Sequence, residues 1–419
     1  SLAGRAPCWH VRLIVMLIAA CLLSGIAQPG PDQKASYARW MAATLSYGSI
    51  STTSTRSSGS HVGDAFGNTN SFADVGGTPY LYVSDLDASM IDLFTAPSAN
   101  PRGSLALSAA SLLAANGSSI IQDCEIGVGY GDPENPPCAR LTLSGTFSKV
   151  PANSTEYAGA YAALVERHPF ITTLPDDHDF YVAKLLPDGI WLIDEYGGAA
   201  IVAPTDYFAA SILTHAVRRD KTAAAISADE IVTNNPPPYF KKAETARWMV
   251  TQLTYGFLAT TSTRTDGSKP GDAFGNPYGL ADVAGVPYLY GTDMDASFTD
   301  LFASANASSR CSFSLSEAQL GGDKLPRACQ IAPGHAGDPE NPPCARLVIS
   351  GAMAKVAANT TEEAAAKAAL FKKHPSFESF PTGHGFYVAR LDIDGLWLID
   401  IYGGAAIIKP EDYFGVGLA

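Results

Sequence analysis

"GDPENPPCARL" occupies residues 131–141, and the same eleven letters return at 337–347, 206 positions later. Segments on either side repeat in the same order, among them "ARWMAATLSYGSISTTSTR" (38–56) with "ARWMVTQLTYGFLATTSTR" (246–264), and "WLIDEYGGAAIVAPTDYF" (191–208) with "WLIDIYGGAAIIKPEDYF" (397–414). The chain is therefore a tandem duplication of a unit of about 170 residues. Such a unit is far longer than a solenoid repeat, so we expect each copy to be a domain with its own core.

The composition is typical of a globular protein that does not bind nucleic acid. Of the 419 residues 46% are hydrophobic, and the formal net charge is −13. This charge repels phosphate backbones, so nucleic-acid binding would need a local basic patch. The basic clusters at 218–221 and 241–242 are short, and we interpret them as solvated helix ends or linker.

The N-terminal segment has the pattern of a secretory signal peptide. Arg5 and Arg12 precede the apolar run at 13–27, and a polar break follows. We expect cleavage near Ala27, with a retained signal anchor as the alternative. Fifteen apolar residues are few for a membrane span, and no later segment is apolar enough to cross a bilayer, so no stable span is expected after cleavage. The expected location is the secretory pathway, either extracellular or lysosomal/vacuolar.

Five cysteines remain after this segment. Cys124 with Cys138, and Cys329 with Cys344, lie at similar separations in the two copies and are disulfide candidates in an oxidising compartment. Cys311 is left over, because Gly103 stands at its position in the first copy; pairing of Cys311 with Cys329 stays open. There is neither a C-x2-C pair nor an H-E-x-x-H motif, so no metal site is expected.

The residue pattern of each copy predicts mainly β structure with peripheral helices. Runs rich in Val, Ile, Thr and aromatic residues predict strands at 48–55, 79–84, 103–108, 139–150, 179–186 and 189–198. The sequence Pro187-Asp188-Gly189 predicts a hairpin turn, and the polar, Gly-rich segment 57–78 predicts a long loop. The expected organisation is a signal peptide (1–27), a first domain (34–208), a linker with a proline-rich end (209–241) and a second domain (242–414).

Each copy resembles the CREG family. The resemblance rests on the order of "STTSTR" or "ATTSTR", "PYLY", "D-x-D-A-S", "GDPENPPCARL", an Asn sequon after "KV", "HP", "WLIDxYGGAAI" and "PxDYF", which spans nearly all of both copies. Members of the family that resemble this chain have one such unit, whereas here there are two.

The resemblance implies tandem split β-barrels of the FMN-binding type, related in fold to pyridoxamine-phosphate oxidases. Such barrels pair across a two-fold axis, so we expect the two copies to pack as an intramolecular pseudo-dimer. It also implies a secreted or lysosomal glycoprotein without flavin, which binds a protein partner or receptor. The alternative is an FMN-dependent oxidoreductase with its cofactor between the repeats, so whether the protein is an enzyme stays open.

The candidate cofactor residues lie at the end of the Thr-rich strand. Hydroxyl groups and one guanidinium can hold a flavin phosphate, and the candidates are Thr53, Ser54, Thr55, Arg56, Thr261, Ser262, Thr263 and Arg264. The alternative interpretation is a plain β-strand, because Thr favours strands.

The remaining candidate positions are sequons, histidines, aspartates and aromatic residues. The sequons at Asn116, Asn153, Asn306 and Asn359 are candidate glycosylation sites. No nucleophile motif accompanies the repeated histidines, so no catalytic residue is assigned. We interpret as structural, rather than catalytic, the residues His168, His178, His374, His384, Asp194 and Asp400, and we expect the Trp and Tyr of "WLIDEYGG" to pack in the core or the interface.

Overall fold

Each repeat forms one antiparallel sheet with short helices at its edges. The computed structural model describes residues 28–112, 121–212, 236–321, 324–331 and 336–417. The predicted signal peptide, Asn116 and most of the predicted linker lie outside the described residues.

The same series of elements occurs in both repeats. The first repeat contains α1 (Lys34–Thr44), β1 (Tyr47–Thr53), β2 (Ala65–Ser71), β3 (Ala73–Val75), β4 (Thr78–Val83), α2 (Ala88–Met90), β5 (Arg102–Ser108), β6 (Arg140–Lys149), α3 (Thr155–Arg167), β7 (Tyr181–Ile193), β8 (Ala200–Val202) and α4 (Pro204–Ala209). The second contains α5 (Lys242–Gln252), β9 (Tyr255–Thr261), β10 (Ala273–Gly279), β11 (Ala281–Val283), β12 (Val286–Gly291), α6 (Ala296–Phe298), β13 (Arg310–Ser316), β14 (Arg346–Lys355), α7 (Thr361–Lys373), β15 (Tyr387–Ile399), β16 (Ala406–Ile408) and α8 (Pro410–Phe414).

The strand order is the same in the two sheets. It runs β2-β1-β5-β6-β7-β4-β3 in the first repeat, with β8 on β7, and β10-β9-β13-β14-β15-β12-β11 in the second, with β16 on β15. Each sheet encloses its own apolar core, to which the first helix contributes Trp40 or Trp248. The prediction of a mainly β fold with tandem split barrels is confirmed.

The predicted hairpin at Pro187-Asp188-Gly189 is wrong. These residues lie inside the continuous strand β7, where the register against β6 shifts between Ser144 and Gly145. A bulge tolerates proline, which has no N–H to donate to the ladder. A Cβ on Gly145 would lie 2.0 Å from the Leu186 carbonyl oxygen, so glycine is required opposite the bulge.

The segment 57–78 is also not the long loop that its polarity predicts. It contains β2, in which every residue is buried, and β3. The strand is polar because it packs against the other repeat and forms hydrogen bonds there.

The interface between the repeats is built from small side chains on facing strands. Ser49 Oγ lies 3.0 Å from Ser314 Oγ, and the Gly67 N–H donates to Ser312 Oγ at 2.9 Å. Short side chains let the backbones approach closely enough for these bonds. Around them, Trp397 packs edge-on against Phe66, and Trp191 packs in the same way against Phe274. The expected packing role of these tryptophans is confirmed, but Tyr196 is exposed.

Candidate binding cleft between the repeats

The second copy of the doubled string carries two carboxylates that bind the first repeat. Asp338 Oδ2 lies 2.6 Å from His168 Nδ1, and Asp338 Oδ1 accepts from Ser71 Oγ at 2.5 Å. Glu340 Oε2 accepts the backbone N–H of Ser71 at 3.0 Å. Asp338 and His168 are fully buried, and His168 Nε2 faces the Phe72 carbonyl oxygen at 2.9 Å.

The first copy of the string makes the reciprocal contacts. Asp132 Oδ2 lies 2.7 Å from His374 Nδ1, and Glu134 Oε2 accepts the Gly279 N–H at 2.9 Å. The sequence at 131–141 therefore recurs at 337–347 because each copy binds the opposite repeat across the pseudo-two-fold axis. We name these paired contacts the reciprocal clasp.

Local geometry explains the glycine and the aspartate of the string. A Cβ on Gly131 or Gly337 would lie 2.3 Å from a backbone carbonyl oxygen, so only glycine fits there. Asp132 and Asp338 each accept the N–H two residues on, which is the Asx-turn geometry. The turn points the following glutamate at the other repeat.

The glutamates of the clasp are largely removed from solvent, and this changes their pKa values. Burial raises the pKa of Glu340 to about 7, although Arg346 opposes this change. Burial also raises the pKa of Glu134 well above its ordinary value, with Arg140 opposing.

A cleft of about 350 Å³ opens beside the clasp of Asp338 and Glu340. We name it the first cleft. Side chains of both repeats line it: Arg56, Ser71, Tyr82, Leu86, Asp87, Ile91, His168, Phe170, Ile171, Leu174, His178 and Phe180 from the first repeat, and Glu340, Arg346, Trp397, Ile399 and Tyr402 from the second. Its size and its mainly apolar, partly aromatic lining are typical of a small-molecule site.

Of the predicted phosphate-binding residues of the first repeat, Arg56 is the one that lines the first cleft. Its Nη2 lies 2.8 Å from Asp92 Oδ2, and its guanidinium stacks 3.9 Å from the centre of the Phe66 ring. Thr55 donates both its N–H and its hydroxyl to Asp92 Oδ1 at 2.8 Å. Ser54 bonds locally to the backbone of Arg56, and Thr53 ends β1.

The second repeat copies this arrangement. Arg264 pairs with Asp300 at 3.0 Å, and Thr263 donates to Asp300 through its N–H and its hydroxyl. Ser262 bonds to the backbone of Arg264, and Thr261 ends β9.

An internal carboxylate therefore holds the donors that a phosphate would need. Asp92 and Asp300 are fully buried, and each accepts from a threonine and an arginine of the predicted site. A phosphate at the same donors would meet a buried like charge, which is unfavourable. The donor set at this strand end does not fit a flavin phosphate.

The other candidate residues have structural partners or are exposed. Lys34 binds Asp194 at 2.5 Å, and Lys242 binds Asp400, so each aspartate ties the first helix of its repeat to the last long strand. Asn153, Asn306 and Asn359 are exposed, as an acceptor of a glycan must be. Two disulfides are formed, Cys124–Cys138 and Cys329–Cys344, and Cys311 is a buried free thiol.

The described ranges contain neither a metal cluster nor a membrane-spanning helix. Among these residues, no group of three His, Cys, Asp or Glu side chains is placed to hold a metal ion. Across the same part of the chain, no helix combines the length and apolar character needed to cross a bilayer.

Sequence reasoning singled out His168 and His374 as structural, but it missed the carboxylates of the clasp and most of the first cleft. Asp338, Glu340 and His168 meet only because the repeats pair. The signal was nevertheless present, because two carboxylates and a "HP" histidine recur at the same offset of 206 positions.

The model of the CREG β-barrel family matches the chain twice, at residues 29–209 and 237–415. The chain belongs to the CREG β-barrel family. Among curated CREG proteins, CREG1 of Gallus gallus is 37% identical over 201 residues, which cover 46% of this chain and 95% of the relative. CREG1 of Homo sapiens is 31% identical over 185 residues, covering 43% of this chain and 76% of the relative. Each relative thus matches less than half of the chain, whereas the family model matches both repeats.

Solved structures match the chain at lower similarity. A heme-binding protein from Mycobacterium smegmatis has 23% identity and a TM-score of 0.33, covering 45% of this chain and 63% of its own. HutZ, described as the heme storage protein of Vibrio cholerae, has 17% identity and a TM-score of 0.27, covering 39% of this chain and 94% of its own.

Proposed function

We propose that this CREG-family chain is a non-catalytic glycoprotein of the secretory pathway that acts by binding a protein or a small ligand. The observation that carries the proposal is the buried Asp92, which holds the arginine and threonine that flavin phosphate would need. Asp300 repeats the arrangement in the second repeat. With these donors engaged, the feature that the paired barrels offer to a binding partner is the cleft between them.

The covalent chemistry of the chain supports the proposed location. Disulfides persist in oxidising compartments such as the secretory pathway, and the chain has one in each repeat. The sequons at Asn153 and Asn359 lie at the start of α3 and α7, where Ser154 and Thr360 cap the helix. A glycan on either asparagine would project into solvent.

The alternative is an FMN-dependent oxidoreductase, and an absorption measurement decides between the two. The full chain is secreted from a eukaryotic host, mixed with excess FMN and passed through a desalting column. We expect no retained flavin absorption. One FMN retained per chain would overturn the proposal.

A matched variant tests the physical reason. Asp92→Asn removes the competing charge while keeping the shape of the side chain. If Asp92 is what excludes the phosphate, this variant binds FMN more tightly than the wild type does. An Asp85→Asn variant, at an exposed aspartate that pairs with Lys149, serves as the control and leaves flavin binding unchanged.

Glycosylation is tested separately by mass spectrometry. Treatment with an amidase that removes N-linked glycans converts each occupied asparagine to aspartate. We expect conversion at Asn153 and Asn359. A secreted protein with neither site converted would contradict the glycoprotein assignment.

A further inference from the structure

The helix that follows the sequon at Asn153 carries two tyrosines on one flank. Tyr157 and Tyr161 lie one turn apart on α3, because an α-helix has about 3.6 residues per turn. Their rings are stacked, with centres 6.0 Å apart and planes 9° from parallel. Both residues are half-buried, so part of the pair is exposed to solvent close to a candidate glycosylation site.

The fold itself does not require aromatic residues at these two positions. The corresponding residues of the second repeat, 206 positions further on, are Glu363 and Lys367 on α7. They form an ion pair at 2.7 Å, and Glu363 Oε2 also accepts the backbone N–H of Asn359 at 2.6 Å. The helix flank beside the second sequon is therefore charged, whereas the flank beside the first is aromatic.

The contact between Glu363 and Asn359 shows that a side chain at this helix position reaches the residue that would carry the glycan. Tyr157 stands at the same position of the first repeat, three residues after the N-cap Ser154, whose Oγ accepts the Tyr157 N–H at 3.1 Å. The second helix is capped in the same way. A glycan on Asn153 therefore begins within reach of the Tyr157 ring.

The stacked pair is held in place by the sheet beneath it. Tyr161 packs edge-on against Tyr82 of β4, with ring centres 5.2 Å apart. Tyr157 and Tyr161 also pack against the small apolar cluster under α3, to which Leu164 contributes. The pair is therefore ordered before anything binds it, and such preorganisation lowers the entropic cost of a contact.

Two partly exposed aromatic rings fit the apolar face of a sugar. One face of the pyranose ring of N-acetylglucosamine presents C–H bonds, which are attracted to the negative face of an aromatic ring. The hydroxyl and amide groups at the rim of the sugar remain in water. A sugar that is attached to the neighbouring asparagine has an effective concentration of about millimolar at the rings, so even a weak contact is populated.

We propose that an N-linked glycan on Asn153 lies with its innermost sugars on the pair of Tyr157 and Tyr161, and that a glycan on Asn359 makes no such contact. The inference rests on the proposed glycosylation of the chain and adds what each glycan touches. The contact shelters the innermost sugars at Asn153 from enzymes that act on glycans, whereas those at Asn359 stay accessible. The outer branches of both glycans project into solvent.

The test measures how fast an amidase releases each glycan from the folded, full chain secreted by a eukaryotic host. The enzyme must reach the bond between the asparagine and the first sugar, so a contact of that sugar slows the release. Conversion of Asn153 and Asn359 to aspartate is followed by mass spectrometry, and each rate is divided by the rate after denaturation to remove differences between the glycans. The corrected rate at Asn153 is expected to be at least about threefold lower, the effect of a contact comparable to one aromatic pair. Equal corrected rates would overturn the inference.

Variants that exchange residues between the repeats connect the difference to the tyrosines. Tyr157→Glu with Tyr161→Lys gives α3 the residues of α7 and is expected to raise the corrected rate at Asn153 to that at Asn359. Glu363→Tyr with Lys367→Tyr is the reverse exchange and is expected to slow release at Asn359 at least about threefold. Tyr157→Phe keeps the ring and is the matched control, which leaves the rate at Asn153 unchanged.

The reverse exchange keeps the test decisive, because it alters a partly exposed ion pair and leaves the first repeat intact. A folded reverse variant with an unchanged rate at Asn359 would refute the inference, whether or not the first exchange folds. A second readout reports the contact itself, since ring currents displace the proton signal of an N-acetyl methyl group that lies over an aromatic ring. A displaced signal is expected in the folded wild type, and its absence would contradict the contact.

Failure of this inference is distinguishable from failure of the proposed function. Conversion after denaturation shows whether each asparagine carries a glycan. An Asn153 that is never converted would overturn this inference, and the absence of conversion at both sites would also contradict the glycoprotein assignment. Conversion at both sites, with equal corrected rates in the folded chain, would contradict only the contact between the glycan and the tyrosines.

Discussion

The two ends of the inter-repeat interface share one clasp and differ in their clefts. Asp338 with His168 and Asp132 with His374 have nearly the same geometry, at 2.6 and 2.7 Å. Beside them, Ser71 and Ile171 face a cleft, whereas Gly279 and Phe377 are packed together. The contacts that hold the repeats together have stayed the same, and the surfaces that could meet a ligand have diverged.

The divergence occurs in compensating pairs. Phe298 is larger than Met90, and Gly291 is smaller than Val83, so the space inside the barrel is redistributed rather than increased. Cores tolerate such exchanges when the total volume is kept. The two repeats therefore fill equivalent core positions with different side chains, and the stability of exchange variants can be compared between them.

The largest expected effect comes from breaking the clasp. Asp338→Ala leaves His168, Ser71 Oγ and the Glu340 N–H without their buried acceptor. Removing one partner of a buried pair costs about 3–5 kcal/mol. Asp132→Ala is expected to cost about 1 kcal/mol less, because Gly279 has no hydroxyl to lose a hydrogen bond. Urea unfolding of both variants measures the difference.

Exposed aspartates provide the control for the clasp. Asp85 pairs with Lys149 and Asp293 with Lys355 at the surface, each at 2.9 Å. Surface ion pairs contribute about 0–1 kcal/mol, so alanine at either position should have a small effect. Equal losses for buried and exposed aspartates would show that the clasp does not stabilise the pairing of the repeats.

A second prediction breaks one compensating pair and then restores it. Gly291→Val gives the second repeat the valine of the first, and its Cβ would lie 2.2 Å from the Phe298 ring. Overpacking of this kind costs about 1–3 kcal/mol. Adding Phe298→Met should recover most of the loss, as measured by thermal unfolding. If the double variant is no more stable than Gly291→Val alone, the two positions do not compensate each other.

The buried glutamates predict that stability depends on pH. Burial raises the pKa of Glu340 to about 7 from an ordinary 4.5, so the folded chain binds this proton more tightly than the unfolded chain. Between those values the folded state holds more protons, and the free energy of unfolding falls as the pH rises. A pKa difference of one between the folded and unfolded states is equivalent to about 1.4 kcal/mol, so a loss of about 2 kcal/mol is expected between pH 5 and pH 8.

Two variants separate the contributions to this loss. Glu340→Gln removes the titrating carboxyl group of the clasp. The free energy of unfolding of this variant should therefore change less between pH 5 and pH 8. Burial also raises the pKa of Glu317 to about 7. Since Ala109 stands at its position in the first repeat, Glu317→Ala removes a pH-dependent contribution that has no counterpart in the first repeat. A free energy of unfolding that rises between pH 5 and pH 8 would contradict the predicted direction of this pH dependence.

Sequence reasoning reached the fold because the two copies confirm each other. The tandem β-barrels and the family followed from motifs that occur twice in the same order. The segment 57–78 was misjudged because β2 is buried by the other repeat, and a strand that forms hydrogen bonds across an interface keeps polar residues. Pro187 was misjudged because a bulge and a turn demand the same residue types.

The candidate site was harder to predict than the fold. The phosphate-binding hypothesis named Thr55 and Arg56, but their common partner, Asp92, lies 36 positions beyond Arg56 and was not part of it. The first cleft combines side chains of both repeats, and no local pattern reports which distant surfaces meet. The alignment of the two copies does show where the two ends of the interface differ, for example at Asn70, whose counterpart is Tyr278.

The smallest expected effect concerns Cys311, which stands where the first repeat has Gly103. Cys311 is fully buried, and burial raises the pKa of its thiol to about 12. Thiolate is the reactive form, so the folded chain should react with a thiol reagent such as dithionitrobenzoate only as fast as the second barrel opens. Denaturant should release one thiol per secreted chain, and Cys311→Ala should remove that signal while leaving the unfolding midpoint nearly unchanged. Immediate reaction of the folded protein would show that the second barrel opens readily around β13, which lies between β9 and β14 in the sheet.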